Sequence, residues 1–129
     1  MLKLNIERSF CCSTEIEEEE NAQALATMID KIKTKGVKEL YLAWNIFSLS
    51  SAGMLANTFK ELPMLQVLDL SNAMLREETV TMAIGLKNSN VRLRRALFRE
   101  NMMESEGARA LSEYFERVDT IEEIDLSRN

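Results

Sequence analysis

One short pattern of apolar and polar positions recurs four times along the chain at constant spacing. In Val37-Lys38-Glu39-Leu40-Tyr41-Leu42-Ala43-Trp44-Asn45, apolar residues fall at the first, fourth and sixth positions and Asn at the ninth. The same template fits Leu65, Leu68, Leu70 and Ala73, then Leu93, Ala96, Phe98 and Asn101, then Ile121, Ile124, Leu126 and Asn129. The ninth positions are 45, 73, 101 and 129, a step of 28 residues each time. Leu40 and Leu42 are two apart, so on an extended strand they share one face and leave Glu39, Tyr41 and Ala43 on the other.

Helical spacing fills the intervals. Ala52, Leu55, Ala56, Phe59 and Leu62 recur with the helix period, as do Ala108, Leu111, Tyr114, Phe115 and Val118. Ala52 and Ala108 both lie seven residues past their Asn, Leu55 and Leu111 ten past, and Phe59 and Phe115 fourteen past. The helices therefore repeat in register with the strands. A looser copy opens the chain, with Met1, Leu4 and Ile6 in the apolar slots of a strand and Ser9 in the Asn slot. From Ser9 to Asn45 is 36 residues, and the surplus falls around Glu15-Ile16-Glu17-Glu18-Glu19-Glu20. A helix follows with Ala22, Leu25, Ala26, Ile29 and Ile32 inside. The acidic start and Lys31, Lys33 and Lys35 near the end suit its dipole, and Gly36 is a natural stop.

Strand then helix, repeated, predicts a parallel sheet of about five strands with every helix on one side. The Leu face and the helix stripes close on each other as the core, and the other strand face becomes the concave side of an arc. Phe47, Leu75 and Met103 lie two past the Asn slot and close each turn, and Cys11 holds that place in the first copy. Met74, Met82, Met102 and Met103 read as turn and core filler. Asn45 and Asn101 are expected to satisfy backbone groups in the bend that no sheet neighbour reaches. Ala73 cannot do this, so the third turn is expected to be looser, or Asn72 or a water to compensate.

Composition narrows the class. The 129 residues suit one domain, 46% apolar and 29% charged, with a real core. No run of eighteen apolar residues offers a membrane span, and the first residues lack the long apolar region of a secretory signal. The net charge of −5 argues against nucleic acid and mildly favours a cationic partner. Cys11 and Cys12, the only cysteines, are adjacent, which suits reduced thiols in an intracellular, cytoplasmic protein. With no His, a zinc site and the usual catalytic base are both missing. Gly36, Gly53, Gly85 and Gly107 stand apart at helix starts and ends and form no phosphate-cradling loop. No catalytic constellation and no cofactor are expected.

A fixed period with L-x-x-L-x-L-x-x-N is the mark of a leucine-rich repeat. The segments Val37 to Asn45, Gly107-Ala108-Arg109-Ala110-Leu111 and Ile121 to Asn129, with small pairs near helix starts (Ala52-Gly53, Gly107-Ala108), resemble the ribonuclease-inhibitor-like subfamily. Ribonuclease inhibitors, Ran GTPase-activating proteins, innate-immune receptor repeats and the tropomodulin C-terminal domain share that form, and Leu4 to Phe10 is a little like a tropomodulin strand. The resemblance implies an α/β leucine-rich-repeat solenoid, a right-handed β-α superhelix bent into a horseshoe arc, with helices on the convex side. Repeats would run at about 1–36, 37–64, 65–92 and 93–120, with a partial one at 121–129. Ser9, Ala73, Ala96 and the long first repeat depart from the pattern.

A fold of that kind places function on the concave strand face, at template positions three, five, seven and eight. Lys3, Asn5, Glu7 and Arg8 form the first row. The candidate protein-binding residues further on are Glu39, Tyr41 and Trp44; Val67, Asp69 and Asn72; Arg95, Leu97, Arg99 and Glu100; and Glu123 and Asp125. Trp, Tyr and Arg dominate interface energies. The leading expectation is therefore a module that binds a protein partner. The resemblance also implies two alternatives: a GTPase-activating regulator of the Ran type, which acts through the GTPase's own machinery, and a structural or cytoskeletal assembly component. Repeat stacks need shielded ends, so flanking repeats or edge-to-edge self-association are expected too.

Overall fold

The structure, a computed structural model, describes residues 2–7 and 15–129, with backbone alone for 15–19. Met1, Arg8, Ser9, Cys11, Cys12 and the side chains of Glu15 to Glu19 lie outside the described residues. In chain order come β1 (Leu2–Asn5), α1 (Glu15–Ile32), β2 (Val37–Tyr41), α2 (Leu49–Thr58), β3 (Val67–Asp69), α3 (Glu78–Lys87), β4 (Arg95–Leu97), α4 (Ser105–Arg117) and β5 (Glu123–Asp125). The five strands form one parallel sheet in sequence order. The four helices pack in the same order, each against the next.

The register follows the sequence period. Glu39 pairs with Val67, Val67 with Arg95 and Arg95 with Glu123, so from β2 onward each strand meets the next 28 residues along, whereas β1 meets β2 at the longer step of Lys3 with Glu39. Leu40, Leu68 and Ala96 are fully buried and share one core with Leu25 and Ile29 of α1, Leu55 of α2, Met82 and Leu86 of α3 and Leu111 of α4. α1 runs into a short turn Lys33–Lys35 and stops at Gly36, whose φ of 68° is the left-handed conformation that glycine adopts without steric cost. α2 starts on a reciprocal cap, in which Ser51 N donates to Ser48 Oγ at 3.2 Å and Ser48 N to Ser51 Oγ at 2.9 Å.

The turns after the strands are stitched by Asn side chains. Asn101 is 3% exposed and makes four hydrogen bonds. Its Nδ2 donates to Phe98 O in its own turn at 3.1 Å and to Leu70 O in the preceding one at 2.9 Å. Its Oδ1 accepts from Ala73 N at 2.9 Å and Leu75 N at 3.1 Å. Asn45 donates to Leu42 O at 2.9 Å and back to Ile6 O at 3.0 Å. Asn129 donates to Leu126 O and Phe98 O, both at 2.9 Å, and accepts from Met103 N at 3.3 Å. Each Asn thus serves its own turn and the one before. This corrects the expectation for the third turn, which Asn101 secures from the next unit without help from Asn72. What Ala73 forgoes is a reach back of its own toward the turn of Asn45.

Other expectations also need correction. Ala108 is exposed. The inward face of α4 is Gly107, Ala110, Leu111 and Tyr114, spaced i, i+3, i+4, i+7. A Cβ on Gly107 would come within 2.9 Å of Met103 Cγ and 3.1 Å of Thr79 Cβ, so the close approach selects glycine there. Of the methionines read as filler, Met82 is buried, but Met74 and Met102 are 51% and 39% exposed. Both lie one residue past a buried Asn-slot residue and point out of the turn. Gly85 lies within α3, against α2: a Cβ there would stand 2.6 Å from Ala56 Cβ and 2.7 Å from Ala56 O. Tyr114, from α4, braces the approach to β4 by accepting from Leu93 N at 3.1 Å and donating to Val91 O at 2.8 Å.

Replacing Asn101 by Ala is expected to cost ~3–5 kcal/mol in urea unfolding, because two buried amides lose their acceptor at about 1–3 kcal/mol each. A loss below 1 kcal/mol would mean that the stitch is redundant. Gly85→Ala, overpacking the α2–α3 contact, is expected to cost ~1–3 kcal/mol by the same measurement.

Candidate interaction face

The strand face turned away from the helices gathers most of the predicted residues. One row across the sheet is Lys3, Glu39, Val67, Arg95 and Glu123; the next is Asn5, Tyr41, Asp69, Leu97 and Asp125. Side chains in neighbouring rows engage each other. Tyr41 Oη donates to Glu39 Oε1 at 2.7 Å, and Lys3 Nζ stands 4.6 Å from the centre of the Tyr41 ring. The hydrogen bond to Glu39 raises the Tyr41 pKa above its ordinary value. Arg95 Nε donates to Glu123 Oε2 at 2.7 Å, and Glu100 Oε1 accepts from Arg128 Nη1 at 2.9 Å with Arg99 Nε 3.7 Å away. Both signs of charge occur along the first row, whereas the second carries Asp69 and Asp125 and no basic residue.

Not every candidate is available for contact. Val67 is 8% exposed, enclosed between the longer side chains of its row, so it contributes floor and not contact surface. Leu97 is half-buried and Arg99 exposed. Asp69 and Asp125 are committed in part to the backbone, with Ser71 N donating to Asp69 Oδ1 at 3.0 Å and Ser127 N to Asp125 Oδ1 at 2.9 Å. Asn5 does the same for Glu7 N at 3.1 Å. These are turn caps, and the recurring Asp-Leu-Ser of 69–71 and 125–127 was the signal for them in the sequence. Ser127 Oγ also donates to Asp125 Oδ1, at 2.6 Å, and with the backbone bond it lowers the Asp125 pKa.

The eighth template position does not belong to the strand. Trp44, Asn72, Glu100 and Arg128 have φ of 62°, 54°, 54° and 56°, a left-handed turn repeated every 28 residues. Carbonyls one unit along fix it: Trp44 N donates to Ser71 O at 3.0 Å, Asn72 N to Arg99 O at 2.8 Å and Glu100 N to Ser127 O at 2.9 Å. The conformation costs an ordinary residue about 1–2 kcal/mol, least for Gly or Asn. Asn72 meets that preference. Trp44, bulky and 50% exposed, does not. It stands at the rim of the open face, past the strand that carries Tyr41. Among the described residues no three acidic or cysteine side chains gather as a metal site, and no helix is long and apolar enough to cross a membrane.

In comparisons with known proteins, the chain matches no family model, no curated protein and no solved structure.

The Asp125 carboxyl is expected to titrate below the ordinary carboxylate range when followed by NMR. Its stabilising share is full above the unfolded pKa and is lost as pH falls through the lowered one. Ser127→Ala is expected to move the midpoint back up; an unmoved midpoint would take the hydroxyl out of the cause.

Proposed function

We propose that the chain is a leucine-rich-repeat protein of the ribonuclease-inhibitor-like form, a curved β-α solenoid, and that its open strand face holds a protein partner. The parallel sheet in sequence order, the 28-residue register and the Asn stitches support the fold reading. Trp44 carries the functional reading. A large aromatic kept half-exposed in a left-handed turn costs stability that Asn or Gly would recover, and such costs gather at functional sites. Tyr41 on the adjoining strand and Arg95 and Arg99 farther along the face supply the residue types that dominate interfaces. Their ion pairs with Glu123 and Glu100 hold the long side chains in place before a partner arrives. The mixed charges suit a protein surface better than a polyanion, and the adjacent thiols Cys11 and Cys12 favour an intracellular setting.

Affinity capture with quantitative mass spectrometry tests this reading. Trp44→Ala and Arg99→Ala are each expected to reduce recovery of a common partner by about tenfold, the effect of losing roughly 1.4 kcal/mol. Ile84→Ser, on exposed helix surface, is expected to leave recovery unchanged. Equal recovery by all three variants would rule out the open face.

A further inference from the structure

The edge of the molecule where helices end and strands begin gathers Lys33, Lys35, Lys38, Arg92 and Arg94. Here a cation ordinarily meets a carboxylate one unit along. Lys33 lies 3.5 Å from Glu61, Arg94 is 2.7 Å from Glu122, and Arg92 pairs with Asp119. Lys35 and Lys38 break the rule. The residue 28 positions past Lys35 is Pro63, and past Lys38 it is Gln66. Neither lysine has a carboxylate partner among the described residues.

Apolar surface takes the place of the missing acids. A groove of about 320 Å³ runs between Lys38 and the Arg92–Arg94 pair, floored by Pro63, Met64 and Leu65. Met64 is 49% exposed, its Sδ laid against Gly36 at the stop of the preceding helical turn. Where Glu122 stands for Arg94, the uncharged Gln66 stands for Lys38. The existing pairs of Arg92 and Arg94 are solvent-exposed, and exposed pairs bind weakly enough to exchange one carboxylate for another.

We infer that this groove is a second binding site, which takes an acidic peptide segment carrying an apolar side chain. Carboxylates of the segment pair with Lys38 and the two arginines, and the apolar side chain lies on Pro63 and Met64. The floor decides between polyanions: phosphate backbones reward cations alone, whereas an apolar floor within a cationic rim rewards mixed acidic and apolar sequence. The site lies off the open strand face and does not depend on it.

Fluorescence anisotropy with the full chain and a labelled peptide of alternating Glu and Leu tests the inference, with the matching Gln–Leu peptide and a short oligodeoxythymidine as comparators. Saturable binding of the Glu–Leu peptide is expected. It should weaken about tenfold or more with Lys38→Glu and with Met64→Asp, hold with Lys38→Arg, and be untouched by Trp44→Ala. Should Lys38→Glu melt early by circular dichroism, Arg94→Glu, on an exposed side chain that lines the groove, serves instead. The inference is overturned by no saturable binding, by equal binding of the Gln–Leu peptide, by oligodeoxythymidine displacing the peptide at lower concentration, or by loss with Trp44→Ala and not Lys38→Glu.

Discussion

A parallel sheet leaves its turns with backbone groups that the strands cannot pair, and here the carboxamides of Asn45, Asn101 and Asn129 close that deficit. Asn101 ties Leu70, Ala73 and Leu75 of one turn to Phe98 of its own, all within a buried slot. The amide has two donors and a two-lone-pair acceptor, and a carboxylate or an aliphatic chain of that size could not serve both needs. The stitch joins neighbouring turns across the same 28-residue step that the strand register keeps. The ion pairs Arg95–Glu123, Arg94–Glu122 and Arg128–Glu100 are products of that same spacing.

The strands and their order were legible because two periods coincide. Alternation picks the buried face of each strand, and the 28-residue step says which strand lies beside which. The helices were legible as segments, but their rotation was not. Ala108 matched Ala52 in spacing, yet the close approach at Gly107 turns α4 so that Ala108 faces out. The slack in Ala73 was visible, but its remedy was not, because a side chain that satisfies a neighbour 28 residues away leaves no local trace. In the candidate face, the row assignments at positions three and five needed only alternation. That position eight falls in a left-handed turn, and that Val67 is enclosed by longer neighbours, are consequences of assembly between units.

Net charge is a coarse guide to the charge of any one surface. A total of −5 averages an acidic run near the chain start against a basic edge where the helices end. Electrostatic attraction acts over about a Debye length of 8–10 Å at physiological salt, so a partner responds to the edge it meets and not to the total. The open face, where Arg95 and Arg128 each pair with a carboxylate one unit away, offers geometry and aromatic area. The groove beside Lys38 offers the reverse, an uncompensated cation next to exposed apolar surface. The two surfaces therefore select different chemistry. The same 28-residue spacing that neutralises Arg94 with Glu122 is what leaves Lys38, with Gln66 in that place, unneutralised.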